Sequence, residues 1–159
     1  MLLFGAEEIH TLHLRARSRA RRRINHNIHP ELSDPVQRLF NAMQPLSYVQ
    51  PHRHVGDDTW EGFVLIEGEG VALTFDEEGV VTHRAHLQMN GTRMVEIPDN
   101  TFHTLLALQE DTLFFEIKRG PYDPNRAKSF ASWAPMEGEE DVLRCARWLQ
   151  NAQVGMRYS

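Results

Sequence analysis

Between residues 36 and 119 the chain is a succession of short apolar runs rich in Val, Phe, Leu and Thr, each closed by a turn signal. The breaks fall at Gly56-Asp57-Asp58, Gly68-Glu69-Gly70, Asp76-Glu77-Glu78-Gly79, Asn90-Gly91, Pro98-Asp99-Asn100 and Gln109-Glu110-Asp111. Strands at this spacing predict an antiparallel barrel or sandwich. Residues 1–35 read as an N-terminal arm: an amphipathic stretch, a run of arginines, then Asn27-Ile28-His29-Pro30 and Ser33-Asp34-Pro35. Residues 120–159 read as a C-terminal extension. It holds a Gly120-Pro121-Tyr122-Asp123-Pro124 loop, a Trp133-Ala134-Pro135 segment, and a short helix whose Val142, Ala146 and Leu149 share a face. One segment reads two ways. Val36, Leu39, Phe40 and Met43 are spaced like a helix face, with Asp34 and Pro35 as cap and first-turn residue, so periodicity alone favours a helix there.

Composition narrows the class. A chain of 159 residues, 41% hydrophobic and 25% charged, is one globular domain able to bury its own core. No apolar run approaches the ~20 residues of a helical membrane span. Glu7 and Glu8 follow the first apolar stretch too closely for a signal peptide, so a cytoplasmic protein is expected. The single cysteine, Cys145, allows no intrachain disulfide and no CxxC site, and it falls in the tail helix without a catalytic role.

The net charge of -5 hides an asymmetry. Six of the 17 basic residues lie between Arg15 and Arg23, which leaves 11 bases against 22 acids elsewhere. Arg15, Arg19, Arg22 and Arg23 would share one face of a helix, and such like charges repel. Either the acidic body holds the arm, which is the favoured reading, or an anionic ligand such as the phosphates of a sugar nucleotide does. The run lacks aromatic interleaving and the body is acidic, so nucleic acid is excluded as a partner.

Nine histidines are many for this length, and three of them form a pattern. In a strand, His52 and His54 project to one face while Arg53 points away. Glu61 opens the next strand, Trp60 to Glu67, and His103 heads the strand His103 to Leu108. Three imidazoles and a carboxylate suit one divalent ion of Fe, Mn, Ni, Co or Zn. A lone H-x-H is more often a pair of surface or core histidines, so the rest of the pattern carries the weight.

That pattern resembles the cupin superfamily, whose motifs read G-x5-H-x-H-x3,4-E-x6-G and G-x5-P-x-G-x2-H-x3-N. His52, His54, Glu61 and Gly68 follow the first; Pro98, Asn100 and His103 follow the second. Leu46 stands for the leading glycine, Asn100 for the inner glycine and Ala107 for the last asparagine, and six residues separate His54 from Glu61. The longer hairpin makes Glu61 the least constrained of the four ligands. The chain more closely resembles the WbuC family of cupin-fold metalloproteins. The matching residues are Asn27-Ile28-His29-Pro30, Gln37-Arg38, Pro51-His52-Arg53-His54, Trp60-Glu61-x-Phe63, Glu96-Ile97-Pro98, Phe102-His103-Thr104, Glu116-x-Lys118-x-Gly120-Pro121-Tyr122 and Trp133-Ala134-Pro135-x-Glu137. The resemblance implies an all-β fold: a small antiparallel cupin jelly-roll barrel over 36–119, with a helical arm and a C-terminal loop and helix. It makes 36–43 a strand. It also implies one metal ion; small cupins carry out isomerase, epimerase, lyase and dioxygenase chemistry, so the expectation is a metal-dependent enzyme acting on a small polar substrate such as a sugar or sugar nucleotide, or else a non-catalytic, metal-dependent small-molecule or sugar-binding module.

Strand parity places Tyr48 and Gln50 beside His52 and His54. Around Glu116 two readings stand. Phe115 and Ile117 form the natural core set, which leaves Glu116 and Lys118 solvated; the resemblance instead carries both into the cavity. Asn27, His29 and Arg38 are expected substrate contacts if the arm folds over the mouth, or loop-fixing residues if it does not. His10, His13, His26, His83 and His86 are expected at solvent or edge positions, Trp60 and Phe63 in barrel packing, and Trp133 outside it under the tail. A small, anionic substrate and a homodimer complete the expectations.

Overall fold

The computed structural model describes residues 1–123 and 128–159, so Pro124 of the predicted loop lies outside them. Helix α1 (Ala6–Ser18) leads into ten strands: β1 (Arg23–Asn27), β2 (Val36–Met43), β3 (His52–Arg53), β4 (Glu61–Glu67), β5 (Glu69–Phe75), β6 (Val81–Gln88), β7 (Met94–Ile97), β8 (Phe102–Ala107), β9 (Thr112–Arg119) and β10 (Ser129–Phe130). Helix α2 (Val142–Asn151) follows. The strands form two five-stranded antiparallel sheets, β1-β2-β9-β4-β7 and β10-β3-β8-β5-β6. They pack as a jelly roll whose two sheets do not join into a closed barrel. Among the described residues no helix is long and apolar enough to cross a membrane.

Three apolar layers hold it together. Met43, Phe63, Leu65, Ala72, Leu87, Leu105 and Phe114 meet between the sheets. Helix α1 lays Leu12 and Ala16 on the outer face of the first sheet, over Ala42 and Leu113. Helix α2 lays Cys145, Ala146 and Leu149 on the outer face of the second, over Val71, Leu73 and Leu106.

This layering explains why residues 36–43 are a strand against their own periodicity. Strand β2 is hydrogen-bonded on both sides, to β1 and β9. One of its faces meets the second sheet and the other meets α1, so apolar residues occupy both and the alternation that marks a half-buried strand is lost. Strand β9 is alike. Phe114 and Glu116 face inward and are buried, while Phe115 packs outside against Phe40, which itself stacks on Phe4. The solvated reading of Glu116 and Lys118 is thereby corrected.

The arginine run does not form the predicted helical face. Helix α1 ends at Ser18, Arg22 takes a left-handed conformation (φ 53°), and Arg23 is already paired with Met43 in β1. The arm therefore contributes a strand to the first sheet. Its charges meet the acidic body: Arg17 pairs with Asp111, and Arg21 and Arg23 both pair with Glu137. His13 is not at the surface; it is buried under α1, 3.1 Å from the Glu67 carboxylate.

Candidate metal centre

The centre lies between the sheets, and strand pairing builds it. Antiparallel pairing sets His52 of β3 directly beside His103 of β8, and Glu61 of β4 beside Lys118 of β9. His54 leaves the end of β3 on the same side as His52. One ligand atom from each of His52, His54, Glu61 and His103 lies within 4.8 Å of the others. His52, Glu61 and His103 are buried, and the His54 side chain is 11% exposed.

The long hairpin before Glu61 is held by residues of the second motif. The Asn100 side chain exchanges hydrogen bonds with the Gly56 backbone (3.3 and 3.2 Å), and the Asp99 carboxylate accepts from the Asp58 N–H at 3.0 Å. Leu46 and Asn100, which replace the motif glycines, both take left-handed backbone conformations (φ 64° and 54°). The turns of the motifs are thus kept without glycine, and asparagine adds the latch.

The hydrogen bonds fix the imidazoles' orientation. Nδ1 of His52 lies 2.9 Å from the Gln50 carbonyl and Nδ1 of His103 lies 2.8 Å from the Thr101 carbonyl. A carbonyl oxygen only accepts, so each Nδ1 carries the proton, and in the neutral ring Nε2 offers a lone pair to the centre. There, His103 Nε2 faces Glu61 Oε2 at 3.0 Å and His54 Nε2 faces Glu61 Oε1 at 2.9 Å. The His103 lone pair and the Glu61 carboxylate, two buried acceptors at this distance, need a cation or a shared proton between them. The donor set therefore fits a borderline divalent metal, with the protonated Nδ1 positions and their carbonyls as the outer support such ligands use.

The charges agree. Burial raises the Glu61 carboxyl, but Lys118, His103 and His54 outweigh it and hold it well below the usual carboxylate range. Burial, Lys128 and His103 push His52 well below the usual imidazole value, which keeps it neutral. Lys118 Nζ lies 2.7 Å from both Glu61 and Glu116; burial lowers its ammonium, yet the two carboxylates raise it further. Asn41 donates to the other oxygen of Glu116 at 2.6 Å.

Two cavities meet the cluster. The larger, about 730 Å³, is reached by His52, Glu61, His103, Gln50 and Glu116, and its outer wall carries Arg19, Arg21, Arg23, Asn25, Lys128 and Glu137. The second, about 610 Å³, is lined by His54, Lys118, the 56–59 hairpin and Tyr122. Of the other expected contacts, Tyr48 turns away. It donates to the Pro135 carbonyl at 2.7 Å and packs under α2, because residues 47–51 are not regular strand and parity fails there. Asn27 is exposed at the far end of β1, with Arg23, Ile24 and Asn25 reaching the cavity instead. His29 clamps the Arg38 backbone (3.0 Å from its N–H), and the Arg38 guanidinium bonds Asp34 at 3.3 Å; neither residue lines a cavity. Asn41, Lys128 and Glu137 were not foreseen as cavity residues. Asn41 shares strand parity with Met43, and Glu137 closes the Trp133-Ala134-Pro135 motif.

A family model, the domain of unknown function DUF6016, matches residues 4–87, more than half the chain. The chain belongs to this family. The DUF6016 match spans His52, His54 and Glu61, whereas His103, Glu116 and Lys118 lie beyond it. No curated protein matches the sequence. Among solved structures the chain resembles CapF, a capsular polysaccharide assembling protein of Staphylococcus aureus, with TM-score 0.55 and 18% identity over 67% of this chain. It also resembles the oxalate decarboxylases of Bacillus subtilis (TM-score 0.51, 16% identity, 68% of this chain) and Lactobacillus farciminis (TM-score 0.51, 14% identity, 67% of this chain). It spans only 31%, 27% and 30% of those chains. At this identity the likeness establishes the fold alone: this DUF6016 protein has a cupin-like jelly-roll fold.

Proposed function

We propose that His52, His54, Glu61 and His103 hold one divalent ion and that the protein is a metal-dependent cupin enzyme acting on a small polar substrate, a sugar or sugar nucleotide. The observation that carries the metal is the buried cluster of His52, His54, Glu61 and His103, in which the His103 lone pair is aimed at the Glu61 carboxylate. A sugar is supported by the WbuC resemblance and by the likeness to CapF, whose described role is in capsular polysaccharide assembly.

When bound, the ion supplies Lewis-acid polarisation of a substrate oxygen. The chain's own residues do the rest. Lys118 keeps Glu61 ionised and fixed, and Asn41 with Lys118 fixes Glu116 at the cavity wall, where its carboxylate accepts a substrate hydroxyl. Phe63, Leu105 and Met43 line the same space and exclude water around the reacting end. A non-catalytic binding module is favoured by one feature: four protein donors complete a tetrahedral zinc shell. Metal-reconstituted protein assayed against a panel of sugar nucleotides and keto acids decides between them. Product formation that needs both metal and Glu116 supports the enzyme; saturable binding without product supports the module.

A further inference from the structure

The larger cavity has an outer wall that the metal centre does not use. Lys128 immediately precedes β10, and it lines the larger cavity together with Phe130. Phe130 is paired with His52 across the sheet, and their rings lie 6.0 Å apart. Lys128 therefore stands in the cavity beside the cluster. Its side chain makes no hydrogen bond and no ion pair with any described residue, and the same holds for the side chain of Arg19, which lines the same cavity. Lys128 is exposed at this cavity wall.

The wall between them is fixed. Arg23 donates through Nη1 to the Tyr48 carbonyl at 2.6 Å and through Nη2 to Glu137, and Arg21 Nε reaches the other Glu137 oxygen at 2.7 Å. Glu137 answers one of these two charges. Lys118 is already shared by Glu61 and Glu116. Two arginines, with a lysine and Arg19 whose side chains have no partner among the described residues, thus leave the wall cationic, in a chain whose net charge is -5. A local excess of this sign inside an acidic protein focuses an anion into the cavity.

We propose that Lys128, Arg19 and the pinned Arg21–Arg23 pair form an anion cradle for a phosphate-bearing end of the substrate, a phosphomonoester or diphosphate. Guanidinium forks and a point ammonium together match the several acceptor oxygens of phosphate. A cavity of about 730 Å³ holds such a group together with a sugar-sized remainder reaching the cluster. The inference deepens the proposed function and rests on it only for what lies beneath the cradle.

The test uses chelator-treated, dialysed full-length protein, titrated with inorganic pyrophosphate by calorimetry at low ionic strength. Metal content after reloading is measured separately for each variant. Wild type binds pyrophosphate, and Lys128→Met weakens it about tenfold, the effect of losing one bond to a charged group. Lys128→Arg restores binding, and Arg15→Gln, on α1 away from the cavity, leaves it unchanged. No binding by wild type, equal binding by Lys128→Met, or malonate bound as tightly as pyrophosphate overturns the cradle. Anion binding that survives in a protein unable to take up metal upholds the cradle and fails the metal centre alone.

Discussion

Lys118 links the buried carboxylates to the proposed metal site, and replacing it separates the two effects. Lys118→Met keeps the stem and removes the charge that lies 2.7 Å from Glu61 and from Glu116. The two carboxylate side chains are only 3% and 9% exposed, so both lose a buried counter-charge. Removing one partner of a buried ion pair costs about 3–5 kcal/mol. Asn41 still serves Glu116, which places the metal-free protein near the low end, about 3 kcal/mol. With the ion present, Glu61 is answered by it and only Glu116 is left short, at about 1–2 kcal/mol. The difference returns as metal affinity. The variant binds the ion about tenfold more tightly than wild type, since 1.4 kcal/mol is a decade. Urea unfolding at pH 8, with and without saturating metal, together with a competitive metal titration, measures both sides. Equal destabilisation in the loaded and the chelated protein, with unchanged affinity, would refute the placement of the ion's charge at Glu61.

Two further outcomes follow from the same geometry. Glu137 is raised by burial but lowered more by Arg21 and Arg23, so its folded value lies below the ordinary one. Its contribution is full above the usual carboxylate range and is lost as pH falls through that lowered value. The stability gap between wild type and Glu137→Gln in thermal melts is therefore constant near neutrality and closes below about pH 4; a gap that widens in acid would contradict it. Asn100→Gly keeps the left-handed turn but cuts the latch to Gly56, so metal affinity falls several-fold while the melting temperature stays close to wild type; unchanged affinity would show that the hairpin does not depend on the latch.

The four cluster residues were legible because their placement depends on short-range rules: period-two projection for His52 and His54, and motif spacing for Glu61 and His103. What spacing could not show is how Glu61 reaches the cluster across a longer hairpin. That depends on Asn100 and Asp99, more than forty residues away, bonding to Gly56 and Asp58. Pattern reading failed where both faces of an element are covered. Strand β2 mimicked a helix because α1 lies over one face and the second sheet over the other. The same covering put Phe115 outside and Glu116 inside. The arginines were read at helical spacing, but the chain turns at Arg22 and gives Arg23 to a strand, so the residues that reach the cavity are Arg19, Arg21 and Arg23. Tyr48 was misplaced for the opposite reason: parity was applied to a segment that is not a regular strand. The jelly roll itself was legible from turn spacing and resemblance together, but the expected barrel is two separate sheets.

The most direct test is metal stoichiometry by elemental analysis of protein reconstituted with a divalent ion and freed of excess. Wild type and the His52→Ala/His103→Ala double variant are compared, and circular dichroism confirms that the variant is folded. One equivalent in wild type and none in the variant is the predicted result; a full equivalent in the folded variant, or none in wild type, would contradict it.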